Sequence, residues 1–474
     1  MWTFAGAHGM YLAKLDNLGN ELWIKQMGGT SLPGLQEMIM SAIDETNGSI
    51  YLSGNFKGTL TLDGISVSSS NSDYFLAKLD LNGTCQWIIK AGSPIDDDVQ
   101  SHIVVDGQNN VYWTGNLLAI GTLDTTQLQR GSFLAKVSSS GNVLWAKDKF
   151  RDLDSRLKFN KNKIYFFGTT RNDTCIVDTM TIIKPKLVDA IIGELDLNGD
   201  LQWVNVYQCS NNSYGASLGI ENSGDLYMSG FFSDTLQVSN QQLISTGGGD
   251  GFIVKLTANG TLIWTQQSFA VGAFESTNFA TLSTDPDGNS YLVGSFNGGT
   301  QIGPYNLSTT LNSEMFVARI DKNGNWLGLH HFGYARTGFV KEDSNGDIYV
   351  SGLFQNTVNI GSTSLTSAGD WDVFIAKGSA ITGQGGNERI INNQLTIYAN
   401  PNKGSFRIKL PDEITNMQNA ILLVFDQQGR EVARFNLEES DESPRFDVNK
   451  TSAGLYTVQL VQGKKTYWGK MVVE

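Results

Sequence analysis

Charged residues are scarce in this chain, and several residue types that mark particular protein classes are nearly missing. Only 17% of the 474 residues are charged, and there are just 8 prolines, 4 histidines and 3 cysteines. The net charge of −13 argues against binding to nucleic acid, because phosphate backbones bind to basic surfaces. The sequence has no apolar run of about 18 residues, which excludes a membrane-spanning helix.

The few cysteines and histidines follow no pattern that indicates chemistry. Cys85, Cys175 and Cys209 are odd in number and lack metal-ligand spacing, and the adjacent His330 and His331 would point to opposite faces of a strand. No Gly-x-Ser-x-Gly, His-Glu-x-x-His or phosphate-loop motif is present. The sequence therefore predicts a protein without catalytic residues, a bound metal or a cofactor.

Glycine, in contrast, is abundant at 52 residues, and asparagine, serine and threonine are frequent. This composition is typical of short strands joined by tight turns, so we expect an all-β protein. Three motifs rotate along the chain with a period of roughly 60 residues. They are a Phe-x-x-Lys-like strand, a glycine followed four residues later by tryptophan, and Tyr-x-x-Gly. The tryptophans of the second motif are Trp23, Trp87, Trp145, Trp203 and Trp264.

We interpret each repeat as one four-stranded blade of a β-propeller. In the second repeat we predict strands at 40–44, 50–55, 74–80 and 85–91, with an Asp-x-Asn-Gly hairpin between the last two. The tryptophan of each blade would fill the gap to the adjacent blade. Six copies of Tyr-x-x-Gly indicate six blades, and seven are possible because one strand, 11–15 or 373–377, is surplus. We expect the N-terminal strand pair to close the ring.

These motifs resemble a bacterial β-propeller repeat family with Gly-Asn-x-Tyr-x-x-Gly, Phe-x-x-Lys and Gly-x-x-x-Trp units. The resemblance covers residues 1–378 and implies an extracellular protein. The tryptophan motif is also similar, more weakly, to the repeats of quinoprotein dehydrogenases. We therefore expect a non-enzymatic module for binding, adhesion or protein interaction, and the alternative is an enzyme, either a propeller acting on carbohydrate or a quinoprotein-like oxidoreductase.

A glycine-rich linker at 379–393 precedes a second domain at 394–474, whose alternating strands and turns predict a small antiparallel β-sandwich. Its ordered motifs resemble the type A sorting domain of type IX secretion substrates, although Ala399 replaces the first proline of that pattern. The matching residues are Asn400, Pro401, Gly404, Gly429, Gly454, Tyr456 and Lys470. The resemblance implies recognition by the type IX translocon and a secreted or outer-membrane-surface location.

The N-terminus does not fit this export route as it stands. Its first fifteen residues lack the basic and apolar segments of a signal peptide, and Met1 falls inside a repeat. We therefore expect a truncated start, with further blade sequence upstream.

A binding face is expected on the loops that follow the tryptophan strands, because variable loops on a rigid scaffold commonly bind ligands. These loops span 28–36, 92–100, 150–156, 209–216, 271–278 and 333–338. The candidate ligand residues, for an unknown glycan or protein, are Asp96, Asp97, Arg151, Tyr214, Phe274 and Tyr334. The oxygen-rich segments 285–289 and 343–347 are interpreted as hairpin turns and not as calcium loops, because no bidentate glutamate follows them.

Overall fold

A computed structural model of the chain shows two compact units, Met1–Gly386 and Asn387–Glu474. The boundary between them lies inside the predicted linker. The structure describes residues 10–16, 19–27, 40–44, 46–97, 101–151, 153–170, 174–183, 188–336, 338–343, 346–360, 363–378, 383–385, 395–398, 402–409, 420–426, 430–437, 445–448, 452–462 and 465–473.

The described residues form strands and turns without a helix, as expected for an all-β protein. Within these residues, no helix is long and apolar enough to cross a membrane.

Five consecutive sets of four antiparallel strands, which we call sheets A to E, make up most of the first unit, and several of them continue through further strands into larger hydrogen-bonded sheets. Their strands follow in chain order, so that each sheet has a first, second, third and fourth strand. Sheet A comprises Met40–Asp44, Ser49–Leu62, Ile65–Asp80 and Cys85–Gly92. Sheet B comprises His102–Val105, Val111–Leu117, Gly131–Val137 and Val143–Arg151. Sheet C comprises Leu153–Asn160, Lys163–Thr170, Ala190–Leu195 and Leu201–Tyr207.

Sheets D and E share one long strand, Leu262–Thr284, which is the fourth strand of D and then the first strand of E. The other strands of sheet D are Ser213–Ile220, Leu226–Phe232 and Gly247–Leu256. Those of sheet E are Ser290–Ile302, Glu314–Ile320 and Trp326–His331, the last with Gly383–Gly385 paired in parallel.

The repeat is incomplete at both ends of the described chain. Sheet F contains first-strand segments Ala335–Arg336 and Val340–Glu342, then Ile348–Phe354 and Asp372–Gly378, with no fourth strand among the described residues. The N-terminal strands Met10–Leu15 and Glu21–Met27 pair only with each other in the described part. This N-terminal hairpin packs on sheet A, where Trp23 donates to the Leu81 carbonyl at 3.2 Å. Among the described residues this hairpin forms no strand pairing with sheet F, so the expected closure of the ring is not shown.

Short hairpins between the second and third strands reach back to the preceding sheet. They are Gly121–Leu123 with Thr126–Leu128, Thr174–Val177 with Met180–Ile183, Thr235–Val238 with Gln241–Ile244, Tyr305–Ser308 with Ser290–Ile302, and Thr357–Ile360 with Thr363–Thr366. Thr122 pairs with Gly92 of sheet A, and Val177 pairs with Phe150 of sheet B. Backbone hydrogen bonds therefore tie neighbouring sheets together at their outer edges.

Each repeated tryptophan packs against the hairpin glycine of the next sheet. A Cβ on Gly141 of sheet B would lie 2.9 Å from the Trp87 ring of sheet A, and Gly199 of sheet C stands in the same relation to Trp145 at 3.0 Å. The Trp87 indole N–H also donates to the Ser139 carbonyl at 3.0 Å. An indole can lie over this turn because glycine presents no side chain and adopts the positive φ that the turn requires. The same contact joins Trp23 to Gly83, Trp203 to Gly260 and Trp264 to Gly324.

The second unit consists of two antiparallel sheets around one core. One sheet contains Thr396–Tyr398, Ser405–Lys409 and Arg445–Asp447. The other contains Glu431–Asn436, Ala420–Phe425, Gly454–Gln462 and Lys465–Val473. Both contribute buried side chains, such as Phe406 and Ile408 from the first and Leu422, Val458 and Met471 from the second. The alternation of apolar and polar residues along these strands places one face of each sheet in the core.

Candidate functional site

The loops predicted to form a binding face join the fourth strand of one sheet to the first strand of the next. We call the described part of these loops the connecting rim, defined by residues 92–97, 150–151, 153–156, 209–216, 271–278, 333–336 and 338. The loop at 28–36 lies outside the described residues.

The two candidate carboxylates of the rim have different environments. Asp97 is fully buried and accepts hydrogen bonds from the Ser93 N–H at 2.8 Å and the Leu118 N–H at 2.8 Å. Burial raises the pKa of Asp97. Asp96 is exposed, pairs with Lys57 at 3.2 Å and accepts the Ser72 N–H, and the Ser72 N–H and then Lys57 lower its pKa. Asp97 therefore organises the loop itself, and Asp96 alone of the two faces solvent.

Two of the predicted aromatic residues are open to solvent. The Phe274 side chain is 92% exposed, and Tyr214 is 43% exposed with its ring 6.3 Å from that of Phe231. Arg151 lies at the end of the fourth strand of sheet B, opposite Ile176 in the hairpin of sheet C. These three residues come from different loops.

Tyr334 belongs to a compact cluster that sequence reasoning did not identify. Its ring lies 5.5 Å from the ring of Trp371, and the Arg336 guanidinium lies 4.5 Å from the centre of the same indole. Trp371 follows the outer hairpin of sheet F, 37 positions after Tyr334, so no local motif joins the two. We call Tyr334, Arg336 and Trp371 the aromatic cluster. The two rings are tilted by 34°, and together with the guanidinium they offer aromatic faces beside hydrogen-bond donors.

Sequence reasoning also missed a group of buried acids. Each of them lies five positions before the charged residue of the third strand, which is Lys, Glu or Arg. Asp250 accepts the Ala270 N–H at 2.7 Å and the Ser268 hydroxyl at 3.1 Å, and burial raises its pKa. Asp189 accepts the Cys209 N–H at 2.9 Å. Their constant spacing in the repeat was the sequence signal that could have identified these acids. These acids bind the end of the fourth strand, so they hold the rim in place and do not face a ligand. The group is Asp73, Asp189, Asp250 and Glu314.

At the opposite end of the sheets, the repeated tyrosine lies beneath a cation from the third strand in every sheet except sheet C. Lys255 lies 5.0 Å from the Tyr227 ring centre and 3.3 Å from Glu221. In sheet C the charges are reversed, with Lys163 in the second strand and Glu194 in the third, 2.9 Å apart. These ion pairs recur from sheet to sheet, so we interpret them as structural.

Within the described residues, no group of three His, Cys, Asp or Glu side chains is arranged to hold a metal ion. The three cysteines are buried and unbonded to one another. Burial raises the pKa of the Cys85 thiol to about 11, which makes it a poor nucleophile.

The sorting residues of the second unit occupy turns and strand ends where the structure describes them. Gly404 has φ +86°, its N–H donates to the Asn402 side chain at 2.8 Å, and its carbonyl accepts the Val448 N–H. Gly454 begins a strand, in which the Tyr456 hydroxyl donates to the Ser452 carbonyl at 2.7 Å. Lys470 pairs with Thr457 in the terminal strand. The predicted motif residues Asn400, Pro401 and Gly429 lie outside the described residues.

Residues 396–474 match the family described as "Secretion system C-terminal sorting domain". This match confirms the predicted sorting domain and the handling of the chain by type IX secretion. The protein is therefore secreted or displayed on the outer-membrane surface. No curated protein matches the sequence.

Among solved structures, the chain is similar to PorZ, a surface component of the type IX secretion system of Porphyromonas gingivalis. The two are 11% identical with a TM-score of 0.32, over 92% of this chain and 59% of PorZ. A DUF4221 protein from Bacteroides vulgatus is 13% identical with a TM-score of 0.34, over 73% of this chain and 94% of that protein. Similarity at this level carries no conclusion about function. The chain spans little more than half the length of PorZ.

Proposed function

We propose that the first unit is a six-bladed β-propeller that acts as a non-enzymatic binding module on the cell surface or in the medium. Sheets A to F would be its blades. The serial packing of each repeated tryptophan on the next sheet supports this architecture, because it relates sheets A to E to one another by the same contact. The resemblance of the repeats to the extracellular propeller family is consistent with it.

Closure of the ring at six blades can be tested by measuring distances between spin labels on the outer hairpins. Thr59 of sheet A and Ser364 of sheet F are exposed positions, and Gln127 of sheet B gives a matched neighbour. In a closed ring of six blades, sheet F lies next to sheet A, so the distance from Thr59 to Ser364 should resemble that from Thr59 to Gln127. A much longer distance would refute closure at six blades and favour an open or larger ring.

Binding is proposed at the connecting rim, centred on the aromatic cluster. The observation that carries this proposal is the packing of Tyr334 and Arg336 against Trp371 beside a rim loop. Aromatic faces with adjacent donors suit sugar rings or extended peptides, which present both apolar and polar atoms. The exposed Phe274 would extend the surface.

A glycan array followed by titration with the best ligand tests this proposal. Trp371→Ala should weaken binding at least about tenfold, as is typical when an aromatic anchor is truncated. Tyr398→Ala, which removes a 41% exposed aromatic from the second unit, is the matched control and should bind as the unchanged protein does. Equal binding by Trp371→Ala and the unchanged protein would place the ligand elsewhere.

A further inference from the structure

Three successive outer hairpins carry an aspartate at the same place in their turn. Asp63 of sheet A, Asp124 of sheet B and Asp178 of sheet C each follow directly after the strand that leads into the turn. Their φ angles are 49°, 52° and 54°. A positive φ is uncommon for a residue with a side chain, so the shared value shows that the three turns are built alike. Their carboxylates can therefore be compared as equivalent groups.

In sheets A and C this aspartate binds a lysine that reaches it from the preceding sheet or hairpin. Asp63 pairs with Lys25 of the N-terminal hairpin at 2.7 Å. Asp178 pairs with Lys149 of sheet B at 2.5 Å, and both of these side chains are largely shielded from solvent. The natural partner of this carboxylate in the repeat is therefore an ammonium group.

The same carboxylates also bind the start of their own fourth strand. The Cys85 N–H donates to Asp63 at 2.7 Å, and the Leu201 N–H donates to Asp178 at 3.2 Å. Both donors stand two positions before the repeated tryptophan of their sheet, and the equivalent residue of sheet B is Val143. Each aspartate thus lies between the fourth strand of its own sheet and a lysine of the preceding one.

The aspartate of sheet B lacks this lysine. Lys25 and Lys149 follow the repeated tryptophan of their strands by two and four residues, and the residues at those places in sheet A are Ile89 and Ala91. Within the described residues, Asp124 forms no hydrogen bond or ion pair. The described chain therefore supplies no counter-charge to this carboxylate.

A cavity of about 440 Å³ lies between sheets A and B where the lysine would be. Its wall combines the fourth strand of sheet A with the outer hairpin and the fourth-strand turn of sheet B, and it includes Ile89, Lys90, Thr122, Asp124, Asn142 and Val143. The Lys90 ammonium pairs with Asp73 at 2.8 Å, so its charge is already balanced. The wall thus joins apolar side chains to one unpaired carboxylate and to neutral hydroxyl and amide groups.

We propose that this inter-sheet cavity binds a primary ammonium group on an aliphatic stem, such as a lysine side chain of another protein, with the Asp124 carboxylate as its counter-charge. The equivalent carboxylates bind such a group through Lys25 and Lys149. An ammonium has three donors and no acceptor, which suits a carboxylate beside hydroxyl and amide oxygens. The methylene groups of the stem would pack on Ile89 and Val143. The aromatic cluster belongs to sheet F, so the two sites can fail their tests independently.

A saturation-transfer NMR titration of the full-length protein with the methylamide of Nα-acetyl-lysine tests the proposal. This ligand presents one ammonium on a four-carbon stem and carries no other charge. The unchanged protein should bind it saturably, and the norleucine analogue, which lacks only the amino group, should not bind saturably at the same concentrations. Glucosamine carries its ammonium directly on a ring. Weaker binding of glucosamine than of the lysine derivative supports a site for an aliphatic stem, and tighter binding would contradict it.

Variants of the cavity wall locate the binding. Asp124→Asn should weaken binding of the lysine derivative about fivefold or more, as expected for loss of a partly exposed ion pair. Asp287→Asn removes an exposed carboxylate from a turn outside the cavity wall and should bind as the unchanged protein does. Ile89→Lys supplies the missing ammonium from within the chain and should abolish binding. Ile89→Met controls for the longer side chain, and its effect should be much smaller.

Circular dichroism checks that the variants fold, and Asp124→Asn tests the proposal even if Ile89→Lys does not. Three results would overturn it: no saturable binding of the lysine derivative, equal binding of the norleucine analogue, or unchanged affinity in Asp124→Asn.

Discussion

The packing of tryptophan on the glycine of the next sheet yields a sharp prediction for Gly141→Ala. Gly141 and Gly64 share the same φ of +86°, but a Cβ at Gly141 would meet the Trp87 ring at 2.9 Å, whereas a Cβ at Gly64 would have no neighbour within 4 Å. A left-handed alanine costs about 1–2 kcal/mol at either position. Overpacking against the ring adds about 1–3 kcal/mol at Gly141 alone. We therefore expect Gly141→Ala to destabilise the first unit by about 2–5 kcal/mol and Gly64→Ala by about 1–2 kcal/mol.

Urea unfolding followed by tryptophan fluorescence measures both changes, with far-UV circular dichroism as a second probe. The free-energy difference between the two variants is the cost of the contact, because the backbone strain is common to both. In a Trp87→Leu background the ring is absent, and Gly141→Ala should then cost no more than Gly64→Ala. If Gly141→Ala costs as little as Gly64→Ala in the unchanged background, the indole does not rest on the glycine, and the proposed relation between neighbouring sheets loses its main support.

Two further predictions test an ion pair and a hydrogen bond. Glu194→Lys leaves two cations together and the Trp203 N–H without its 2.9 Å acceptor, so it should destabilise by about 2–4 kcal/mol. Adding Lys163→Asp should recover about 1 kcal/mol or more in a double-mutant cycle, and strictly additive free energies would show that the pair is not coupled. Tyr456→Phe should destabilise the second unit by about 1 kcal/mol in the same assay, because the Ser452 carbonyl loses its donor, and no change would exclude a role for that bond.

The local parts of the fold were predictable because each is determined by a few neighbouring residues. The strands expected at 40–44, 50–55, 74–80 and 85–91 all lie within the four strands of sheet A, since hairpin glycines and alternating apolar residues specify both the turn and the face. The pairing of Thr122 with Gly92 was not predictable, because it joins two sheets through backbone atoms and leaves no side-chain pattern.

The candidate site was only partly predictable for a related reason. The positions of the loops indicated Phe274 and Tyr334 as candidate ligand residues. The sequence does not show which side chains of a short polar loop are exposed. Asp97, for example, is buried and accepts hydrogen bonds from its own loop and from Leu118. Trp371 reaches Tyr334 from a different loop of the same sheet. A contact of this kind depends on the tertiary structure and has no fixed spacing in the sequence.

A repeat protein contains its own comparison set, because each position of one sheet can be compared with the equivalent position of the others. Glu194 stands where other sheets have a cation, but Lys163 of the neighbouring strand compensates for it at 2.9 Å. The reversal therefore preserves an ion pair. A departure from the repeat that the surrounding chain compensates in this way maintains the fold.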